Sequence, residues 1–408
     1  MKNLHNDGEQ NTTEHTFQAD YTTPIGKLHT LEAGAKYILR NNSSEDDRFD
    51  ADDTGKYEYN KDQSSHYKHL NDIIAAYLGY GLKVKRLRPF GLRYEHTIQD
   101  VKYLVGRGED FTKNFDDVVP SASIGYKLTD MSNLRLGYNM RIYRPGIWSL
   151  NPYLNDTDPS YISQGNPELD SEKSHAFNLS YSNFTQKFNI NISARYSFTN
   201  NSIENVTRLM PDTEIEGLKN PTGKDVLYST YANIGKTRYA SVNGYVNWNA
   251  TPRTRIYMNM SGNYSYLEGS EGMRNDGWSL FAYGGAQQTL PHDWRISLNV
   301  FGQTPWIMLQ GKGSSFFDYG LSVNKSFLDK RLTLSAFASN FFKKYMDQSS
   351  TTEGNGFIRE SNYKYSRQRF GISVSYRIGE LKASVKKAAR TISNDDVKSG
   401  GSGSGGGE

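Results

Sequence analysis

Segment after segment of this chain alternates apolar and polar residues with period two, the pattern of a strand with two unlike faces. In the stretch KFNINISARYSFT, Phe188, Ile190, Ile192, Ala194, Tyr196 and Phe198 share one face, while Asn189, Asn191, Ser193, Arg195 and Ser197 share the other. The same reading sets Leu134, Leu136, Tyr138, Met140 and Ile142 against Arg135, Asn139 and Arg141. It recurs with Ile256, Met258 and Met260 against Arg255, Asn259 and Asn263, and with Phe370, Ile372, Val374, Tyr376 and Ile378 against Arg369, Ser373, Ser375 and Arg377. Alternation by itself also fits a soluble sandwich with apolar inner and polar outer faces. The connections separate the two. Short turns at TTPIGK, KVKR, TDMS, TQK, ATPR, PHD and LDK alternate strictly with longer polar segments near 40–66, 105–114, 144–172, 200–225, 267–277, 304–315 and 346–362. That layout belongs to an outer-membrane barrel with tight periplasmic turns and long extracellular loops.

The pattern therefore predicts an all-β chain, an antiparallel up-and-down transmembrane β-barrel, with about fifteen strands mostly longer than the ~9–11 residues needed to cross a bilayer. The first strand, near Glu14 to Thr23, already descends into a short turn, as does the last. Single-chain bacterial barrels have an even number of strands, so the expectation is an open sheet whose N-terminal partners lie elsewhere. At ~27 residues per strand and connection, a plugged barrel of the 22-stranded class takes ~600 residues, of which this chain looks like the last two-thirds. Residues 1–13 then read as the remnant of an extracellular loop, 14–379 as barrel strands and 380–408, ending in Gly and Ser, as a flexible periplasmic tail.

Composition narrows the function. No stretch approaches the roughly 18 apolar residues of a membrane helix. Net charge is +4 with both signs interspersed, unlike the basic stripe of a nucleic-acid binder. The absence of cysteine excludes disulfides and thiolate chemistry. Arginines 93, 135, 141, 195, 255, 295, 331, 369 and 377 fall on the polar face. Each would cost roughly 2–4 kcal/mol at mid-bilayer, so that face lines the lumen. Arg135, Arg141, Arg195, Arg255 and Arg295 are the candidates for holding a plug or lining an anionic path.

Chemistry is sparse. DADDTG, Asp50 to Gly55, begins like a calcium loop, but its twelfth position is Lys61 rather than a bidentate Glu. His66 and His69 would share a face only on a helix, and His96, His175 and His292 find no assignable catalytic partners. No nucleophile elbow, P-loop or dinucleotide fingerprint stands in a plausible context. No metal, cofactor or enzymatic activity is expected.

One segment departs from the alternation. RPGIWSLNPYLNDTDPSYISQGNPELDSE, Arg144 to Glu172, holds four of the chain's twelve prolines, at 145, 152, 159 and 167. Proline cannot donate to a ladder, so this is a long loop, and long loops are commonly functional. Gly165, Asn166 and Pro167 can end the loop and set the next strand's register. Trp148, Tyr153 and Tyr161 can offer rigid aromatic area to a ligand, with Asp156 and Asp158 as polar contacts. Both readings stand.

GNPELDSE, Gly165 to Glu172, resembles a segment of TonB-dependent outer-membrane receptors, Gly-Asn-Pro-x-Leu-x-Pro-Glu, with Ser171 in place of the second proline. RPGIWSLNPYLNDTDP resembles the same region in the subfamily of outer-membrane β-barrel proteins, and a similar likeness covers the last strand and KKAARTISNDDVKSGG. GISVSY resembles the Gly-x-x-apolar-x-apolar signal read by barrel-assembly machinery, carried here by Gly371, Val374 and Tyr376. The resemblance implies a bacterial outer-membrane receptor for active nutrient uptake, with its plug and energy-coupling box upstream of Met1. It implies as partners the outer-membrane lipid, the TonB complex, the assembly machinery, a surface lipoprotein, and a small-molecule, glycan or peptide ligand. A passive channel and an adhesion or assembly scaffold are the alternatives.

Overall fold

The computed structural model describes residues 4–52, 54–83, 86–106, 110–219, 221–379 and Asn394. Fifteen long strands build one antiparallel meander. They are β1 (Leu4–Ile25), β2 (His29–Ala51), β3 (Ser65–Lys83), β4 (Arg86–Val105), β5 (Phe111–Lys127), β6 (Ser132–Tyr143), β7 (Glu172–Phe184) and β8 (Phe188–Pro211). The remainder are β9 (Asp225–Thr251), β10 (Thr254–Glu268), β11 (Arg274–Leu290), β12 (Trp294–Gln303), β13 (Phe316–Phe327), β14 (Leu332–Ser339) and β15 (Arg369–Tyr376). Each is hydrogen-bonded to its chain neighbour in sequence. Short turns gather at one end. Leu328, Asp329 and Lys330 sit at φ 51, 51 and 65, a left-handed run that reverses the chain between β13 and β14.

The two faces follow the alternation of the sequence. Ile192 and Tyr196 are 47% and 45% exposed, while Ser197 and Thr199 between the facing strands are buried. On β3, Leu78 is 61% exposed and His69 and Asn71 are buried. A surface that is apolar outside and polar inside is stable only against lipid, because in water it would present its greasy side to the solvent. Aromatic residues mark the limits of that band: Trp248, Trp294 and Phe327 lie near the short turns, and Tyr94, Phe177, Tyr196 and Phe317 lie farther up. On β13 the markers are Phe317 and Phe327, about 33 Å apart along the strand and about 25 Å across a bilayer at a tilt of ~40°.

Three of the polar segments expected to be loops are largely strand; one, 346–362, is a hairpin outside the wall, and the other two extend wall strands. β2 continues to Ala51, paired with Leu4 to Glu14 along 40–50, and β8 continues to Pro211, paired with Asp225 to Gly235. Above the bilayer both faces of a strand meet water, so the alternation disappears while the ladder persists; polar composition there imitates a loop. β1 likewise starts at Leu4, so residues 4–13 are paired. The tail assigned to 380–408 lies outside the described residues apart from Asn394.

Two local features interrupt the wall. The β5–β6 ladder runs from Lys127↔Asn133 to Ser121↔Asn139 and stops beside Pro120. Among the described residues, β1 pairs only with β2, and β15 only with β14. Both edge strands descend toward the short-turn end. A direct β1–β15 pairing would be parallel, so closing this sheet as an antiparallel barrel takes an odd number of intervening strands.

The assignment of faces is checked by cysteine substitution in a chain that has none. Cysteine at 192 should react with a lipid-soluble maleimide and at 191 with a membrane-impermeant one, because a slip of one residue inverts both. Impermeant labelling at 192 and not at 191 would overturn the topology.

Candidate functional site

The loop between β6 and β7 folds into the lumen instead of standing over it. Arg144 ends the strand by breaking its alternation: it takes the position after Ile142 in the outward series, yet it is buried. Its Nη2 donates to Glu95 Oε2 at 2.8 Å and to Thr97 Oγ1 at 2.9 Å on the lumen face of β4. Pro145 then forbids further ladder, and one helical turn, Ile147–Leu150, closes on the Gly146 carbonyl through Ser149 and Leu150 amides at 3.0 and 3.3 Å. Leu150 and Leu169 come from opposite ends of the loop. They pack with Tyr67, Val101 and Ile203 from β3, β4 and β8, the lumen's own hydrophobic core.

Polar anchors complete the fold of the loop. Asn151 Nδ2 donates to Asp46 at 2.8 Å, and the Asp156 carboxylate pairs with Arg48 of β2. The Gly165 amide donates to the Asn151 carbonyl at 2.8 Å, and a Cβ on Gly165 would collide with that oxygen and with the Asn151 amide. Glycine is required because two passes of the loop touch there. Asn166 donates through its side chain to the Tyr231 carbonyl at 3.0 Å and accepts the Glu168 amide at 2.9 Å, so it both pins β9 and turns the chain toward β7. Lys113 reaches the Glu168 carbonyl at 2.9 Å. A short strand, Tyr161–Ser163, adds in parallel to Leu227–Ser229 of β9, and Ile162 is buried with Ile215 and Val226.

Two further loops meet this one at the mouth. The hairpin of Tyr345–Gly354 and Phe357–Ser366 joins Gly311–Lys312 of the 304–315 loop in a small separate sheet. Gln310 clasps β8 by donating to the Thr207 carbonyl at 2.8 Å and accepting its amide at 2.7 Å. Arg359 on the hairpin stacks over the Tyr161 ring at 3.8 Å.

The five aromatic and acidic residues singled out in the loop therefore lie in one folded unit but do not converge on one point. Trp148 is edge-on to Tyr231 at 5.1 Å. Asp156 is engaged by Arg48, and Asp158 accepts the Ser160 hydroxyl and amide at 2.6 and 3.0 Å, which holds its carboxyl below the usual range. Tyr161 is covered by Arg359. Tyr153 differs: its buried hydroxyl has no hydrogen-bond partner among the described residues, and burial pushes its pKa up to about 12.

The lumen arginines occupy the polar face. Arg135 is opposite Ser180, Arg141 opposite Ser174, Arg195 opposite Asn178, Arg255 opposite Gln287 and Arg295 opposite Asn324. Arg255 donates to Asn247 at 2.5 Å and lies over Tyr257. At the free edge, Val374 and Tyr376 point outward, while Gly371 faces inward beneath the Phe337 ring, where a Cβ would clash. Among the described residues no group of three or more His, Cys, Asp or Glu side chains is arranged to hold a metal. Sequence reasoning missed Arg48, Asp46 and Arg359, and it placed Glu95 on the polar face without linking it to the loop. Only Arg144 carried a signal, as a charge in an apolar register position.

A family model described as the outer membrane protein beta-barrel family matches residues 1–376. No curated protein sequence matches the chain. Among solved structures, the copper transporter OprC aligns at TM-score 0.64 and 14% identity over 91% of this chain and 57% of its own. The ferric citrate transporter FecA in its unliganded form aligns at 0.62 and 14%, over 91% and 55%. The ferric yersiniabactin uptake receptor FyuA from Yersinia pestis aligns at 0.60 and 16%, over 91% and 55%. At these identities the likeness is one of fold, and the chain spans a little over half the length of each.

Arg144→Ala should release the loop. Glu95 keeps Arg93, which tempers the ~3–5 kcal/mol usual for breaking a buried pair to about 2 kcal/mol. Limited proteolysis should cut within 150–165 faster in Arg144→Ala and in Gly165→Val than in the parent, at unchanged heat-modifiable mobility of the wall. Equal cleavage would show that these contacts do not hold the loop.

Proposed function

We propose, on the premise that the chain belongs to the outer membrane protein beta-barrel family, that it forms the wall of an active transporter in the bacterial outer membrane. Ligand is received at the extracellular mouth and drawn inward by work done on a plug through the TonB complex. The observation that carries this reading is the inward-folded loop: with its own core inside the lumen, it gives the mouth a shaped floor in place of an open bore. A constriction also sets the selectivity of a passive channel, so dependence of uptake on TonB decides between the two. The transporters and receptor that share the fold are named for ferric citrate, copper and ferric yersiniabactin, which favours a small, scarce ligand here too.

Within that mouth, Trp148, Tyr153 and Tyr161 supply aromatic area, and the unpartnered Tyr153 hydroxyl is the group best placed to gain a bond when ligand arrives. Asp156 and Asp158 shape the floor through Arg48 and Ser160. Arg135, Arg141, Arg195, Arg255 and Arg295 hold the plug on the polar face. We assign the raised hairpin 345–366 to contact with a surface lipoprotein, and the exposed last strand with Gly371, Val374 and Tyr376 to the assembly machinery. The chemistry is transport and needs no catalytic residue.

The test is uptake by the intact receptor in cells supplied with ferric siderophores, copper, oligosaccharides or peptides in turn. Tyr153→Phe and Trp148→Ala should each raise the half-saturating concentration about tenfold, the ~1.4 kcal/mol of a good contact. Uptake should vanish without TonB. Uptake that survives its loss would replace the active transporter by a passive channel.

A further inference from the structure

Between β5 and β6 the wall is closed without a backbone ladder over its upper part. The last pair is Ser121↔Asn139. The next position would set Met140 against Pro120, which has no N–H to donate, and the ladder ends there. Above it, β5 continues to Phe111 bonded to β4, and β6 to Tyr143 bonded to β7. Outward residues at that height are Asn114 and Asp116, with Asp116 bonded to His96 at 2.9 Å, so the unpaired edge emerges into water.

Side chains hold this seam. Lys173 shares the outer face with Phe177 and Leu179, yet its ammonium pairs with Asp117, which is buried on the lumen side beside Glu95. A side chain that starts on the lipid face and ends on a lumen carboxylate has passed through the wall. Above the end of β6, Lys113 reaches from the lumen face of β5 toward Asp170 of the loop at 3.8 Å. Ile142 is outward-facing by register but only 6% exposed, whereas Leu136 on the same face is 50% exposed; Ile142 is tucked into the seam as a stopper. At the seam's foot lies an open cleft of about 410 Å³ on the lipid side, lined by Leu78, Phe90, Leu92, Pro120, Ala122 and Tyr138. It exists because Pro120 and Ala122 are short among bulky neighbours, and it sits between the aromatic markers Tyr126 below and Tyr94 above.

We propose that the seam is a lateral portal and the cleft its vestibule, admitting the acyl chain of an amphiphile between the outer leaflet and the lumen. The occupant follows from the place: whatever reaches an apolar cleft at hydrocarbon depth arrives through the bilayer as an apolar chain. The gate is cheap to open because an ion pair and one isoleucine give way while every ladder stays intact, and the amphiphile's anionic head can take Lys173 over from Asp117. This route is separate from uptake through the mouth and stands or falls independently of it.

The cysteine-free chain permits a direct test. Continuing the register upward sets Ile142 level with Val118, so Val118→Cys with Ile142→Cys is the pair chosen to crosslink the seam. The intact receptor in outer-membrane vesicles is irradiated with a fatty acid bearing a terminal diazirine, and adducts are mapped by mass spectrometry. Adducts are expected on Leu78, Phe90 and Ala122 in the cleft and on lumen-facing Asp117 and Arg141. Oxidation should cut the lumen adducts about tenfold or more, leave the cleft adducts, and be reversed by dithiothreitol. Lys173→Gln should raise the lumen adducts. If the cysteines do not oxidise, a short bismaleimide closes the same gap. Absence of lumen adducts from the reduced protein, or lumen adducts unaffected by closure, overturns the portal.

Discussion

Everything in this wall answers to one constraint: a backbone N–H or C=O inside hydrocarbon has no water to turn to, so it must be paired by the protein. The long ladders follow, and so does the inverted arrangement of side chains, with leucine and phenylalanine outside and arginine inside. The two places where pairing lapses are informative for that reason. At Pro120 the lapse begins at a residue that lacks the donor and rises into water. At β1 and β15, among the described residues, a ladder runs along one side only.

Above the bilayer the constraint relaxes and a different economy rules. The loop after β6 is organised by a small apolar core and by charges that meet far from each other in sequence. Arg144 with Glu95, Arg48 with Asp156 and Lys113 with the Glu168 carbonyl tie it to three separate strands. None of these pairs is worth much if exposed, but Arg144 and Glu95 are both nearly sequestered, where breaking a pair is costly. The loop is thus fastened to the wall at several points.

The fold was largely legible in the sequence, and the site only in outline. The faces of β6, β8, β10 and β15 and the count of wall strands could be read because lipid on one side and water on the other impose a strict period of two. Residues 41–51 and 200–211 were misread as loops because strands with water on both sides lose that period. The loop itself was conspicuous from its prolines; Gly165 was read as a loop terminator, and the structure shows it instead where two passes of the loop touch. Its inward fold was invisible, since Asp46, Arg48 and Glu95 lie about 50 to 110 residues away with no local pattern that links them to it.

The length of β9 sets the altitude of the molecule. Of its 27 residues, those from Asp225 to Tyr239 lie beyond Ala240, the residue opposite the aromatic marker Tyr196, a rise of about 50 Å along the strand and some 35–40 Å above the bilayer once tilted. The mouth therefore opens well clear of the headgroups, at the height of whatever carbohydrate coats the cell. The same elevation makes the tips of the loops the first part of the protein that an antibody or a phage tail encounters.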